Sequence, residues 1–524
     1  MKNFIYKKKT GYIALLISVL SVFVYRHMLS DTGIGYMVCS YLVCTLVWMI
    51  LGEGFSDVMS RIVRARLSKG QKKNAMNIIA IAFFNQFICG IIGAIICGVL
   101  NFKLMSGFIG LPKGRFLGFY LCVFFFFRMI NEFFIGYASV AAGDKAICVS
   151  CVIREVFRIG LGCLVMKMQF DKGVIASTLL MDDDIKYVYA ASGLFIGFCI
   201  SEILVFAFLF VVRLGLRVRT AGDYESYSGK DNTLGVFLNF WKKRLGSLVH
   251  GIVLCIFLIV AVSVAHDAAA IGISFCVLFV PFAISSIIAC YSGTASSVSW
   301  VNSVRKNEKG PARSYFDYGV HIVVIASVFC TGFFAAVSKL INRLLLSEPG
   351  MSLSTQLILM AVASVMLSIA VFSDQLCLMR DDRLPRIIAD VVSGLLSVLA
   401  VKICSGAGQT FYMTLTISMI VYAAASMIAW VVITYIKMGM IFDPLKNILL
   451  PIVSGAVTAI ILLLITNAAA AHLGNLFTMI MCIPIGLLIY HSVLLLLRNY
   501  TDAELKLMPL GGLLYSLGQI LKVI

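Results

Sequence analysis

The sequence predicts an all-α polytopic membrane protein of about 14 transmembrane helices, built as two six-helix lobes plus two C-terminal helices. Three observations carry this. Of 524 residues, 61% are hydrophobic and 13% charged, with mean hydropathy +0.99; a soluble domain sits nearer half apolar and about a quarter charged. Apolar runs of bilayer length recur along the whole chain. Basic residues collect in every second loop between those runs, as the positive-inside rule requires.

The runs cover 11–28, 34–55, 76–100, 117–140, 147–166 and 187–212, then 246–265, 270–294, 317–338, 352–377, 387–404 and 411–436, and finally 447–466 and 474–497. The first is read as a retained helix: its basic start, Lys2 to Lys9, leads into Gly11–Met28 with no small-x-small cleavage pattern. With that end placed inside, the even-to-odd loops and both ends hold 30 of the 43 Lys and Arg residues. Both termini are therefore expected in the cytoplasm. The net charge of +18 reads as topology and contact with anionic membrane lipids, and no nucleic-acid partner is expected. Lys242-Lys243-Arg244 reads as an orientation anchor before the seventh run. The longest loop, Arg213–Arg244, is too short for a catalytic domain.

An internal echo suggests how the molecule is divided. Gly52–Lys73 contains Gly54 and Gly70 around basic residues; Gly293 and Gly310 bracket a similar basic stretch. A six-run period keeps both copies in one orientation, as in parallel-repeat transporters with a substrate cavity between lobes. The expected division is an N-terminal lobe over 1–219, a cytoplasmic linker over 220–245, a C-terminal lobe over 246–436, and appended spans and tail over 437–524.

Charges within or beside the runs are the candidate functional residues, because burying them is costly. Arg26 lies near the outer end of run one, and Arg61 just past run two. Glu53 and Asp57 are four apart, so one helix would place them on a common face. Arg128 and Glu132 are also four apart, deep in run four. Glu202 in run six has no local partner; it is a candidate for coupling H+ or Na+, or a partner across to Arg128. Asp374 is expected to join Arg380, Asp381, Asp382 and Arg383 at the membrane face. The six His have no ligand spacing, no phosphate-binding loop is present, and the sixteen Cys lie mostly in apolar runs. No metal, cofactor or catalytic residue is expected, and the chain reads as a transporter, not an enzyme.

Several stretches resemble a known family. Val24-Tyr25-Arg26, Asp31-Thr32-Gly33-Ile34-Gly35-Tyr36, Gly54-Phe55-Ser56-Asp57-Val58-Met59-Ser60-Arg61 and the tail Thr501-Asp502-Ala503-Glu504-Leu505 resemble the polysaccharide-transporter branch of the multidrug/oligosaccharidyl-lipid/polysaccharide (MOP) exporter superfamily. Flippases similar to stage V sporulation protein B carry this type of sequence. The resemblance implies a flippase of the bacterial cytoplasmic (inner) membrane. Its partner would be an undecaprenyl-pyrophosphate-linked oligosaccharide for polysaccharide or cell-wall biosynthesis, moved by alternating access. Arg26, Arg61, Arg128, Glu53 and Asp57 would then contact substrate, and Glu132 and Glu202 would couple ions. Ile271–Thr294 has no charge, where lipid II flippases carry basic residues, so a different lipid-linked oligosaccharide is expected. The alternative is a cation-coupled multidrug or metabolite antiporter of the same superfamily.

Overall fold

Helices account for the regular structure of the computed structural model, which describes residues 2–141, 143–215, 232–346, 353–380, 384–439, 442–508 and 511–520. In a bilayer each backbone N–H and C=O needs a partner within the chain, and the helix supplies one locally. Eleven helical stretches among the described residues are long and apolar enough to cross a membrane. The protein is an all-α, multi-pass membrane protein.

Two compact units divide the chain at Gly272. The described part of the expected linker, 232–245, falls inside the first unit, and its residues 220–231 lie outside the described ones.

The N-terminal unit opens with α1 (Lys2–Leu51), which kinks at Ser30, where φ is 53°. A turn at Gly52–Gly54 leads to α2 (Phe55–Leu67). Gly54 has φ 71°, a left-handed conformation that any Cβ would strain. Next come α3 (Lys72–Lys103), α4 (Leu117–Ala141), α5 (Asp144–Leu180), α6 (Asp184–Gly215) and α7 (Thr233–Val262). The core joins Phe55, Met59 and Val63 of α2 to Ile78 of α3, Phe133 and Phe134 of α4, Val205 of α6 and Phe240 of α7. The opposite face of α3 exposes Phe84, Ile88, Ile92 and Ile95, as lipid-facing surface should.

α8 (Ala268–Ser274) runs through a wider turn into α9 (Val280–Arg305). The C-terminal unit continues with α10 (Lys309–Leu345), α11 (Ser354–Arg380), α12 (Leu384–Gly406), α13 (Phe411–Met438), α14 (Leu450–Leu473) and α15 (Asn475–Leu496). Its core gathers Trp300, Phe316, Val323, Phe372, Tyr490 and Leu494. The echo of Gly54 fails here. Gly293 lies inside α9 without a break, because it admits Phe372 and Val323 against the helix and does not turn the chain.

Two short helices, α16 (Asp502–Leu507) and α17 (Gly511–Ile520), end the chain. Thr501 and Glu504 form a capping box at α16. The buried Glu504 Oε1 also meets His321 Nδ1 and Lys446 Nζ, each at 2.9 Å, while Asn499 Nδ2 lies 2.9 Å from His321 Nε2. Burial pushes the Glu504 pKa up, but His321 and Lys446 outweigh it and bring it down to about 2.

Candidate functional site

Helix α5 has eight charged residues, which keeps it out of the eleven apolar stretches. Its buried face repeats about every four residues, through Ile147, Ser150, Arg154, Arg158 and Met166. Such a face needs a partner that comes close and supplies opposite charge. α6 does both. A Cβ on Gly197 would lie 2.5 Å from Gly162 Cα, and one on Gly193 would lie 2.8 Å from Met166 Cα. Small residues let helix backbones approach this way in membranes. The close packing puts Glu202 of α6 among the α5 arginines.

The Glu202 side chain is fully buried. Its Oε1 lies 2.9 Å from Arg154 Nε and 3.3 Å from both Arg128 Nη1 and Arg158 Nη2. Asn131 Nδ2 donates to Glu202 Oε2 at 2.7 Å and to its main-chain oxygen at 2.9 Å. Glu155 Oε1 is 3.5 Å from Arg158 Nη1. Arg128, Asn131 and Glu132 share one face of α4 through their i, i+3, i+4 spacing. Glu132 is buried beside Arg128. Three guanidinium groups thus converge on one carboxylate, with two further carboxylates alongside.

Aromatic rings wall the cluster. The Arg128 guanidinium lies 4.8 Å from the Trp48 ring centre, and that of Arg158 lies 4.9 Å from Phe198 and 5.9 Å from Phe124. Tyr25 donates to the Arg158 carbonyl at 3.4 Å. Arg128 lies midway along α4 and Glu202 a little past the middle of α6, each more than ten residues from either end of a helix long and apolar enough to cross a membrane. Charge this deep is tolerated only when paired and hydrogen-bonded, and it marks candidate functional sites.

The other sequence-predicted residues lie elsewhere. Arg26 forms a fork with Asp31 across the Ser30 kink, Nε to Oδ1 at 2.6 Å and Nη2 to Oδ2 at 2.9 Å. Glu53 and Asp57 do not share a helix face, because the Gly54 turn separates them. Glu53 accepts from Trp48 Nε1 at 3.2 Å, whereas Asp57 is exposed in the first turn of α2. Arg61 is exposed on α2, while nearby Arg64 donates to the Ser139 hydroxyl of α4 at 2.9 Å. Arg128 pairs with Glu202 and not with Glu132. Asp374 pairs with Arg386, whose Nη2 donates to Oδ2 at 2.9 Å; residues 381–383 lie outside the described ones.

Sequence reasoning missed Arg154, Glu155 and Arg158, although three charges within one apolar run were the signal available. It also misread Arg244. That side chain is buried and covers the end of α1, donating from Nε to the Glu53 carbonyl at 2.8 Å and from Nη2 to Ile50 at 3.3 Å. Cations at a helix C-terminus satisfy its open carbonyls. Among the described residues no three His, Cys, Asp or Glu are grouped to hold a metal ion.

The helical architecture is similar to that of solved MOP superfamily transporters. The lipid II flippase MurJ, in an inward closed conformation, is similar at a TM-score of 0.60 and 12% identity, over 93% of this chain and 99% of that one. An inward-facing multidrug resistance MATE family transporter is similar at 0.58 and 13%, over 81% and 94%. A MOP superfamily transporter from Pyrococcus furiosus, described as having a binding pocket of reversed polarity, is similar at 0.54 and 13%, over 83% and 96%. No protein-family model matches the chain, and no curated protein matches it by sequence. At such identities the likeness defines the fold.

Proposed function

We propose that this protein is a flippase for a lipid-linked oligosaccharide with an anionic diphosphate head, working by alternating access in a bacterial cytoplasmic membrane with both termini inside. In this reading α5 and α7 are spans as well, the kinked α1 provides two, and the count reaches fourteen. Residues 1–219 and 246–436 act as the two lobes, with the linker over 220–245 and the spans and tail over 437–524 as accessories.

One observation carries the reading: three arginines, the buried Arg154 and Arg158 and the partly exposed Arg128, converge on the single buried carboxylate of Glu202. Guanidinium forks suit phosphate oxygens, and a low-dielectric surrounding strengthens the interaction. The aromatic walls suit sugar rings and prenyl chain. Arg26 and Arg61 would assist at the outer and inner ends of the path, with Glu53 and Asp57 near its inner mouth. Glu132 and Glu202 would link substrate movement to H+ or Na+.

The second reading is a cation-coupled antiporter for drugs or metabolites. The buried carboxylates of Glu132, Glu155 and Glu202 favour it, as does the MATE-like fold. Purified protein in liposomes separates the two. The flippase reading expects labelled undecaprenyl-diphosphate saccharide to become accessible to an external glycosidase at a protein-dependent rate. Failure to move it, together with gradient-driven export of an organic cation, overturns that reading.

A further inference from the structure

The Glu202 carboxylate offers one oxygen, Oε1, to three guanidinium groups, and its other oxygen accepts from Asn131. A guanidinium presents five N–H donors in a fork that suits two oxygens. The donors therefore outnumber what Glu202 can accept. Three arginine nitrogens, Arg154 Nε and Nη2 and Arg158 Nε, are buried without a hydrogen bond, Arg154 Nε meeting Glu202 as an ion pair alone, against one unpartnered carboxylate oxygen, Glu155 Oε2. Both arginine side chains are more than nine-tenths buried.

Charge decides how an anion could use these donors. Arg128, Arg154 and Arg158 face an equal number of acids, Glu132, Glu155 and Glu202, so the arginines of the empty group already have carboxyl counterparts. An arriving anion gains little by simple addition and must take the place of a carboxylate. Glu202 is the carboxylate that all three arginines share. A diphosphate diester brings two charges and four non-bridging oxygens, against one charge and two oxygens on Glu202. It can occupy the surplus donors, whereas a monophosphate diester merely matches the carboxylate. The exchange also has an access point. The Arg128 side chain is 23% exposed while Glu202 is fully enclosed, so an arriving phosphate reaches Arg128 first. Asn131 also donates to the Glu202 main-chain oxygen, so it keeps α4 on α6 whichever anion is bound.

We propose that Glu202 is a displaceable counter-ion that holds Arg128, Arg154 and Arg158 together in the empty site and yields them to the diphosphate of the substrate. It is a positioning and specificity residue, and the inference rests on the anionic-substrate reading above.

The test uses full-length protein in detergent with the diphosphate diester of geranylgeraniol and methanol as the probe. The corresponding monophosphate diester, geranylgeranyl methyl phosphate, and tetraphenylphosphonium serve as comparisons, and affinity is read from thermal-shift titration. Glu202→Gln is expected to melt lower than wild type without ligand and to bind the diphosphate about tenfold more tightly. Glu202→Asp keeps the charge but draws it back by one methylene, and is expected to bind with intermediate affinity. The gain should be larger for diphosphate than for monophosphate, which a merely structural role would not produce. If wild type binds diphosphate and both variants bind it equally or more weakly, the counter-ion proposal is overturned and the anionic-substrate reading stands. If no form binds diphosphate and wild type binds tetraphenylphosphonium through Glu202, both fail. Should Glu202→Gln not fold, Glu202→Asp decides alone, with tighter binding in support and equal or weaker binding against.

Discussion

Arg154 Nε on α5 and Glu202 Oε1 on α6 meet at 2.9 Å, with 8% of one side chain and none of the other exposed. Two neighbouring helices are thereby joined by an ion pair that neither could carry alone. Removing one partner of a buried pair leaves an uncompensated charge. Arg154→Gln leaves Arg128 and Arg158 on Glu202, so the expected loss is moderate, about 1–3 kcal/mol. It should appear as a lower melting temperature in detergent, and an unchanged melting temperature would refute the pairing.

The approach of α5 to α6 depends on Gly197. A methyl group there would meet the backbone of Gly162, which cannot rotate away as a side chain would. Gly197→Ala should force the helices apart and cost about 1–3 kcal/mol, with transport falling alongside. Gly160, which has nothing within 4 Å of a built Cβ, is the control. Gly160→Ala should leave melting temperature and transport near wild type.

Arg244 is buried over the final carbonyls of α1, where the chain turns through Gly52 and Gly54. Arg244→Gln keeps a donor but loses the charge and the reach of the fork. A cost of about 1–2 kcal/mol is expected. Hydrogen exchange should rise at Ile50–Phe55 before it rises elsewhere in α1. Uniform or absent change would mean that Arg244 does not hold this end.

The fold was largely legible in the sequence, and the site only partly so. Apolar length and basic alternation are local properties, and they located the spans to within a few residues at places such as α4, α6 and α13. The i, i+4 argument for Glu53 and Asp57 failed because Gly54 adopts a left-handed conformation, which composition alone does not reveal. Arg128 and Glu202 were both candidates and their pairing across helices was one of two readings of Glu202, but no spacing rule reaches across helices to choose between them. Arg154 and Arg158 stand in a run apolar enough to draw attention away from them. Arg244 resembled every other loop cation until its burial against α1 was visible.

The C-terminal tail gives a pH prediction. Glu504 has its pKa lowered to about 2 in the folded protein, from an ordinary value of 4.5. A depressed carboxylate stabilises the fold above its unfolded pKa and loses that contribution as pH falls through the folded one. Glu504→Gln should therefore melt lower than wild type at neutral pH, by about 3 kcal/mol for a buried partner of His321 and Lys446. The gap should close as pH falls from about 4.5 towards about 2. A gap that is constant across that window would contradict the assignment.

The central claim is that the buried arginines handle a diphosphate head. The most direct measurement compares wild type and Arg158→Gln in liposomes carrying two lipids of equal tail and sugar, one diphosphate-linked and one without phosphate. Wild type is expected to translocate the diphosphate lipid, and Arg158→Gln to do so at least about tenfold more slowly. Neither should move the neutral lipid at a rate above protein-free liposomes. Equal rates for the two proteins on the diphosphate lipid, or equal transport of both lipids by wild type, would contradict the account.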